Sequence, residues 1–158
     1  MIWYQNLKNG GKNVSEPMLR KRLVVDANIL IRAVLGNRVK SLIERYSDSV
    51  AFFVAEANAD EAEYYLSFEL ASKHHLDHDV WRSNYDGVMN VVQVIADELL
   101  REVEYKAKAR IARDLTDWPA VAAALALDCP VWTEDKDFFG SGVATWTTAT
   151  VEIYLADG

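Results

Sequence analysis

Leu23-Val24-Val25-Asp26-Ala27-Asn28-Ile29-Leu30 is the stretch that decides the fold. Three apolar residues, two of them β-branched, run into a single acid. After a polar step, Ile29, Leu30 and Ile31 resume the apolar pattern. A short apolar run bounded in this way reads as a buried strand of a parallel sheet. Asp26 then stands at the carboxyl end of that strand, the edge where open α/β sheets bind ligands. The plainer reading makes Asp26 the cap of the helix that follows, since Asp is favoured there. The rest of the chain has to choose between them.

The same alternation continues downstream. Residues 29–35 read as a helix stopped by Gly36-Asn37, the usual left-handed pair past a helix end. Val39, Leu42, Ile43 and Tyr46 give a second helix by their spacing. Val50–Ala55 is apolar throughout and reads as a second buried strand. Asn58 or Asp60 is then expected to cap a helix running to about Ser72, with Tyr64, Tyr65, Phe68 and Leu70 on its apolar side. Residues 79–89 read as helix, with Trp81, Tyr85 and Val88 on one side. Val91–Ile95 is a third strand by its β-branched content. Residues 97–113 read as one helix with a stripe of Leu99, Leu100, Val103, Ala107 and Ile111, and with Glu102 and Lys106 as an i,i+4 pair. Asp117 caps the next helix, which has Pro119 in its first turn and is apolar nearly all round. Residues 129–133 and 144–147 supply two short strands, and Thr150–Leu155 closes the chain. Strands alternating with helices in this order predict a three-layer α/β/α fold with a mostly parallel sheet of four to five strands.

Composition bounds the setting. The 158 residues are 51% hydrophobic with five Trp, enough for one real core. Cys129 is the only cysteine, so no internal disulfide is possible and a cytoplasmic location is expected. No apolar run approaches the ~18 residues of a membrane helix. Residues 1–21 read as a flexible N-terminal extension, with turn chemistry at residues 9–13 and an alternative start at Met18; residues 22–156 form the single domain. Arg20-Lys21-Arg22 is either a solvated cluster or a contact for a phosphate backbone. His74 and His78 have the spacing of two metal ligands on one helix face, but no second ligand pair accompanies them, and a solvated turn accounts for the cluster. The net charge of −7 argues against holding nucleic acid by a bulk positive field, though not against an acidic centre that works through cations.

Asp26, Asp117 and Asp135 each follow a strand or start a helix, and Glu61 starts the helix that follows the second strand. With right-handed crossovers, all strand carboxyl ends face one side, so the four acids can converge there. Two carboxylates ~5 Å apart at an effective dielectric of about 20 repel by roughly 3 kcal/mol. Either protons or cations must relieve that. Oxygen-only donors suit Mg²⁺ or Mn²⁺, and a pair of such ions can clamp the attacking and leaving oxygens of a phosphodiester.

Residues 23–30 resemble the opening of a PIN domain, the fold of VapC-type toxin ribonucleases. Arg113-Asp114-x-x-Asp117-Trp118-Pro119 with Ala122–Ala126 resembles the third acid and its helix. Val131-Trp132-Thr133-Glu134-Asp135-Lys136-Asp137-Phe138 resembles the family's Thr-x-Asp segment. The resemblance implies that Asp26, Glu61, Asp117 and Asp135 are the catalytic, metal-holding quartet, supported by Asn28, Thr133, Asp114 and Asp137. Glu63 and Glu56 are alternatives to Glu61, which is preferred because it sits five residues before Leu66. The resemblance further implies an RNA substrate, Mg²⁺ or Mn²⁺ as cofactor, a homodimer and an antitoxin partner. Lys106, Lys108, Arg110 and Arg113 are the expected contacts to the RNA backbone. The expected function is a metal-dependent endoribonuclease that hydrolyses phosphodiester bonds with water activated at the cation. Two alternatives stand beside it: a PIN-like module that binds RNA or protein without cutting, and an acidic-pocket phosphatase. The second would want an acid where Asn28 stands.

Overall fold

In the computed structural model, residues 20–70, 73 and 77–157 are described. The apolar run opening the chain becomes β1, Lys21–Val25. It lies at the centre of a five-stranded sheet, with β2 (Val50–Ala55) on one side and β4 (Val131–Trp132) on the other. β3 (Gln93–Ile95) and β5 (Thr145–Trp146) form the edges, and every pairing is parallel. Leu23, Val24 and Val25 are wholly buried because helices cover both faces. Leu23 and Val25 join one core with α1 (Ala27–Leu35) and α2 (Arg38–Tyr46); Val24 joins another with the buried helix α7 (Trp118–Leu127). The remaining helices are α3 (Glu56–Tyr64), α4 (His78–Met89), α5 (Asp97–Leu100), α6 (Glu104–Arg110) and α8 (Val151–Ala156). This is the three-layer α/β/α architecture expected from the alternation of elements. No helix among the described residues is long and apolar enough to cross a membrane.

Several local expectations are corrected. The helix after β2 starts at Glu56 without a polar cap, so Asn58 is buried inside it rather than capping it. Its inward face is set by Asn58, Ala59 and Ala62, and it widens into a π-helical turn over Tyr65–Leu70 that buries Leu66 and Leu70. That phase leaves Tyr64 and Phe68 outside, 59% and 64% exposed, stacked on each other at 5.0 Å. The single helix expected over residues 97–113 is two helices joined by a tight turn at Arg101–Val103, and Leu99 faces solvent. Gly36 ends α1 in an extended conformation, not a left-handed one; its N–H still closes on the Arg32 carbonyl at 2.9 Å. The left-handed residue past a helix end is Asp128, after α7. Residues 1–19 and the histidines at 74 and 75 lie outside the described residues.

The basic cluster has a structural task. Arg20 donates to the Ser47 carbonyl, Lys21 to Tyr154 and Arg22 to Leu127. These carbonyls stand at or near the ends of α2, α8 and α7, where the helix dipole favours a cation. The cluster therefore tethers the amino end of β1, on the opposite edge of the sheet from Asp26. The inward phase of the π turn is testable by urea unfolding. Leu66→Ala should cost about 2–5 kcal/mol as a buried truncation, whereas Phe68→Ser, two residues on, should stay within about 0.5 kcal/mol.

Candidate metal centre at the carboxyl edge of the sheet

Asp26 leaves β1 and starts α1, and its side chain serves both ends of that junction. It is 4% exposed. Oδ1 accepts from the Ala27 N–H at 2.8 Å. Oδ2 accepts from Thr133 Oγ1 at 2.7 Å and from Asn28 Nδ2 at 3.0 Å. The carboxylate thus caps α1 through one oxygen and ties that helix to the segment after β4 through the other. Burial pushes its pKa up, and the hydrogen bonds from Thr133, Ala27 and Asn28 oppose that.

Thr133 is wholly buried just past β4, and it links β1 to the next acid. Its hydroxyl donates to Asp26 and accepts from Asn28 Nδ2 at 3.1 Å and from the Asp135 N–H at 3.0 Å. Asn28 Oδ1 accepts from the Glu134 N–H at 3.1 Å. The short loop after β4 is therefore pinned to the start of α1 by two side chains. Asp135 then caps a single turn at Lys136–Phe138, with Oδ1 accepting from the Asp137 N–H at 2.9 Å.

The third acid comes from the break between α6 and α7. Asp114 opens a tight turn at Leu115–Asp117, accepting from the Thr116 N–H at 3.0 Å and its hydroxyl at 2.6 Å. Those bonds hold its carboxyl below the usual range. Asp117 occupies the capping position of α7 but makes no side-chain cap bond. Its Oδ2 is buried without a hydrogen-bond partner. Burial first, and then the charges of Asp26, Asp135 and Asp114, push its pKa up to about 7. Carboxylate oxygens of Asp114, Asp117 and Asp137 lie within 4.8 Å of one another.

The glutamates separate by their partners. Glu63 is ion-paired with Arg82 of α4. Glu56 accepts from the Asp97 N–H at 3.1 Å and so caps α5. Glu61 is raised by burial and by the charges of Asp26 and Asp114, while a hydrogen bond from Asn58 lowers it. Glu61 is thus the glutamate turned toward the aspartates, from the second turn of α3 and not from its start. His78 stands apart at the start of α4, beside Asp79 and the Trp81 ring. Of the expected RNA contacts, Lys108 pairs with Glu104 and lies over the Trp118 ring. Arg110 donates to the Ser141 carbonyl next to Gly142, whose left-handed backbone (φ +78°) favours glycine; a Cβ there would displace the Arg110 guanidinium. Lys106 and Arg113 are exposed.

An uncompensated buried carboxylate oxygen among three further acids is the environment that a hard divalent cation relieves. The donor set is oxygen only, which fits Mg²⁺ or Mn²⁺ better than softer metals. Asn58 was not singled out as a functional candidate from sequence, and its place three residues before Glu61 was the available signal. The raised acids fix the sign of the pH response. Asp117 binds its proton more tightly folded (about 7) than at its ordinary 3.8. Its contribution to metal-free stability is full below pH ~4 and is lost as pH rises through ~7. Without metal, the melting temperature should fall between pH 5 and 8, and less so in Asp117→Asn. Added Mn²⁺ should stabilise wild type increasingly over the same range, because ligands must be deprotonated to bind. Thermal shift across pH, with and without Mn²⁺, reads both.

With this geometry in hand, comparison with known proteins is informative. No curated protein sequence matches the chain. The crystal structure of PAE2754 from Pyrobaculum aerophilum is similar at 20% identity and a TM-score of 0.67, covering 93% of this chain and 96% of that one. VapBC2 from Rickettsia felis, bound to a DNA fragment from its promoter, is similar at 10% identity and a TM-score of 0.63, covering 80% and 98%. A toxin–antitoxin complex from Klebsiella pneumoniae is similar at 19% identity and a TM-score of 0.58, covering 80% and 97%. At these identities the likeness is one of fold. The family itself comes from the sequence: a model described as PIN domain matches residues 24–156, and the chain belongs to the PIN domain family.

Proposed function

We propose that this chain is a metal-dependent endoribonuclease, with Asp26, Glu61, Asp117 and Asp135 holding Mg²⁺ or Mn²⁺. The observation that carries this reading is the unpartnered, buried Oδ2 of Asp117 beside Asp26, Asp135 and Asp114. Bound divalent ions supply neutralisation of developing phosphoryl charge and a nucleophile near neutral pH. The residues of the chain orient and exclude. Asn28 and Thr133 fix Asp26 by donating to Oδ2, so that its carboxylate cannot rotate away. Asp114 and Asp137 extend the acidic set beside Asp117. The Thr133 hydroxyl already donates to Asp26, which leaves it no part as a nucleophile. The phosphatase alternative loses ground at the same place, because Asn28 uses its amide nitrogen on Asp26 and Thr133 and its oxygen on the Glu134 N–H. Lys106, Lys108, Arg110 and Arg113 stand as contacts for the RNA backbone, with Lys106 and Arg113 the more available pair.

The setting we propose is that of a toxin held by an antitoxin protein, and of a homodimer. The likeness of this fold to a toxin–antitoxin complex from Klebsiella pneumoniae supports the partner.

Cleavage of RNA by the purified protein in Mg²⁺ or Mn²⁺ is the direct test. EDTA should abolish it, and Asp26→Asn with Asp117→Asn should lower it by about a hundredfold or more, since cation charge stabilisation is worth several kcal/mol. Equal cleavage by wild type and the double variant would sink the nuclease reading. RNA binding without cleavage by either would put a binding module in its place. Thr133→Val keeps the side-chain shape and removes the link. It should weaken Mn²⁺ affinity by about 10–100-fold, the usual effect of losing a support behind a ligand, as titration calorimetry would measure.

A further inference from the structure

A groove of about 500 Å³ adjoins the acidic centre at Glu134, the residue before Asp135; none of the acids lines it, and Ile31, Leu35 and Val39 give it an apolar floor. Its walls are the exposed end of α1 with the start of α2, and opposite them Glu134 with Thr148 and Ala149. Three features join this groove to the acids. Glu134 immediately precedes Asp135, and its N–H is held by Asn28. Arg32 lies four residues after Asn28 on α1, hence on the same helix face and roughly 6 Å further along the axis. Trp132, the last residue of β4, donates through Nε1 to Thr148 Oγ1, which fixes the far wall.

The charge of the groove is opposite to that of the chain. Arg32 and Arg38 both line it, against the single carboxylate of Glu134. That carboxylate is engaged, accepting from the Thr148 N–H at 2.7 Å. Arg38 gives one nitrogen to the Thr148 carbonyl at 3.3 Å, which orients its guanidinium along the wall. Arg32 is exposed, and no hydrogen bond or ion pair holds it among the described residues. In a chain of net charge −7, two guanidiniums line a cleft whose wall residue Glu134 is the immediate neighbour of Asp135. The volume falls within the range of small-ligand clefts, about 300–1,000 Å³, sized for a nucleotide or two of single strand.

We infer that this groove holds the sugar–phosphate backbone of single-stranded RNA beside the bond that is cleaved, with Arg32 and Arg38 as its phosphate-binding residues. The inference rests on the nuclease reading and names where its substrate lies. It makes α1 a ruler: Asp26 and Asn28 at one end of the helix serve the acidic centre, and Arg32 one turn on takes a neighbouring phosphate. Planar guanidiniums suit that role, because they pair with phosphate oxygens through two parallel N–H bonds.

The test separates binding from cleavage. RNA binding is measured by anisotropy with a labelled single-stranded 12-mer, in an Asp26→Asn background and without metal. Each neutralised phosphate of a single strand contributes about 0.7 to the salt slope, which corresponds to about fivefold in affinity at 0.1 M salt. Arg32→Ala should therefore weaken binding about fivefold and lower the slope by about 0.7, and Arg32→Lys should recover most of the loss. Arg32→Ala with Arg38→Ala should roughly double the change in slope. In the active protein, the ratio of kcat/KM for the 12-mer to that for bis(p-nitrophenyl) phosphate should fall by the same factor. Binding and salt slope that stay unchanged in the double variant, or a wild-type chain that binds no RNA at low salt, overturn the groove. The latter result would direct the search to a protein occupant. An uncleaved 12-mer whose binding still depends on Arg32 would overturn the nuclease reading and uphold the groove.

Discussion

Everything at the carboxyl edge of the sheet depends on keeping one carboxylate, that of Asp26, almost out of water. Burying an acid is costly, and the chain offsets the cost with three donors: a backbone N–H, a hydroxyl and an amide. Two of those donors belong to α1 and the third to the segment after β4, while the acid itself ends β1. Satisfying Asp26 is therefore the same act as docking β4 against β1. Parallel pairing of Val24 with Val131 and Val25 with Trp132 brings the pieces into register. The hydrogen bonds among Asp26, Thr133, Asn28 and Asp135 then lock the loop that follows.

Asp117 shows the opposite arrangement. It is brought into the same neighbourhood by the start of α7, a helix so apolar that it is buried nearly all round. Its carboxylate receives neither a cap bond nor a side-chain donor at Oδ2. One acid in the centre is thus fully braced and another is left wanting. In the metal centre we propose, that contrast would divide the work: the braced acid would give position, and the unsatisfied one driving force for the cation. Fixing the scaffold through satisfied groups and concentrating strain on the ligand-facing ones is how preorganised sites keep their geometry.

Much of this was legible in the residues. Continuous apolar runs with β-branched residues marked β1 and β2, because strands covered on both faces cannot alternate. The three aspartates stood out since each follows an apolar run or opens a helix. Other features were not legible, for physical reasons. The start of α3 at Glu56 has no polar cap, so the nearest polar residues, Asn58 and Asp60, read wrongly as the boundary. The π turn shifts the helical phase, which put Tyr64 and Phe68 on the wrong side. The preference among Glu56, Glu61 and Glu63 rested on a motif. The structure separates them by long-range partners, Asp97 and Arg82, that no local pattern encodes.

The distribution of the acids along the chain has a consequence for timing. Asp26 is the first of the four to be made and Asp135 the last, with Thr133 bonded to Asp26 across 107 positions. A ribosome adds about 5–20 residues per second, amino terminus first. β4, the strand that completes the bracing of Asp26, emerges only after Asp26, Glu61 and Asp117 have all been made. Until then the growing polypeptide carries first Asp26, then Glu61 and at last Asp117 without the strand that links Asp26 to Asp135. A protein built this way cannot acquire its acidic centre piecemeal. Whatever that centre does, it begins only once the whole domain has closed, and a chain truncated before β4 would carry most of the acids and none of the arrangement.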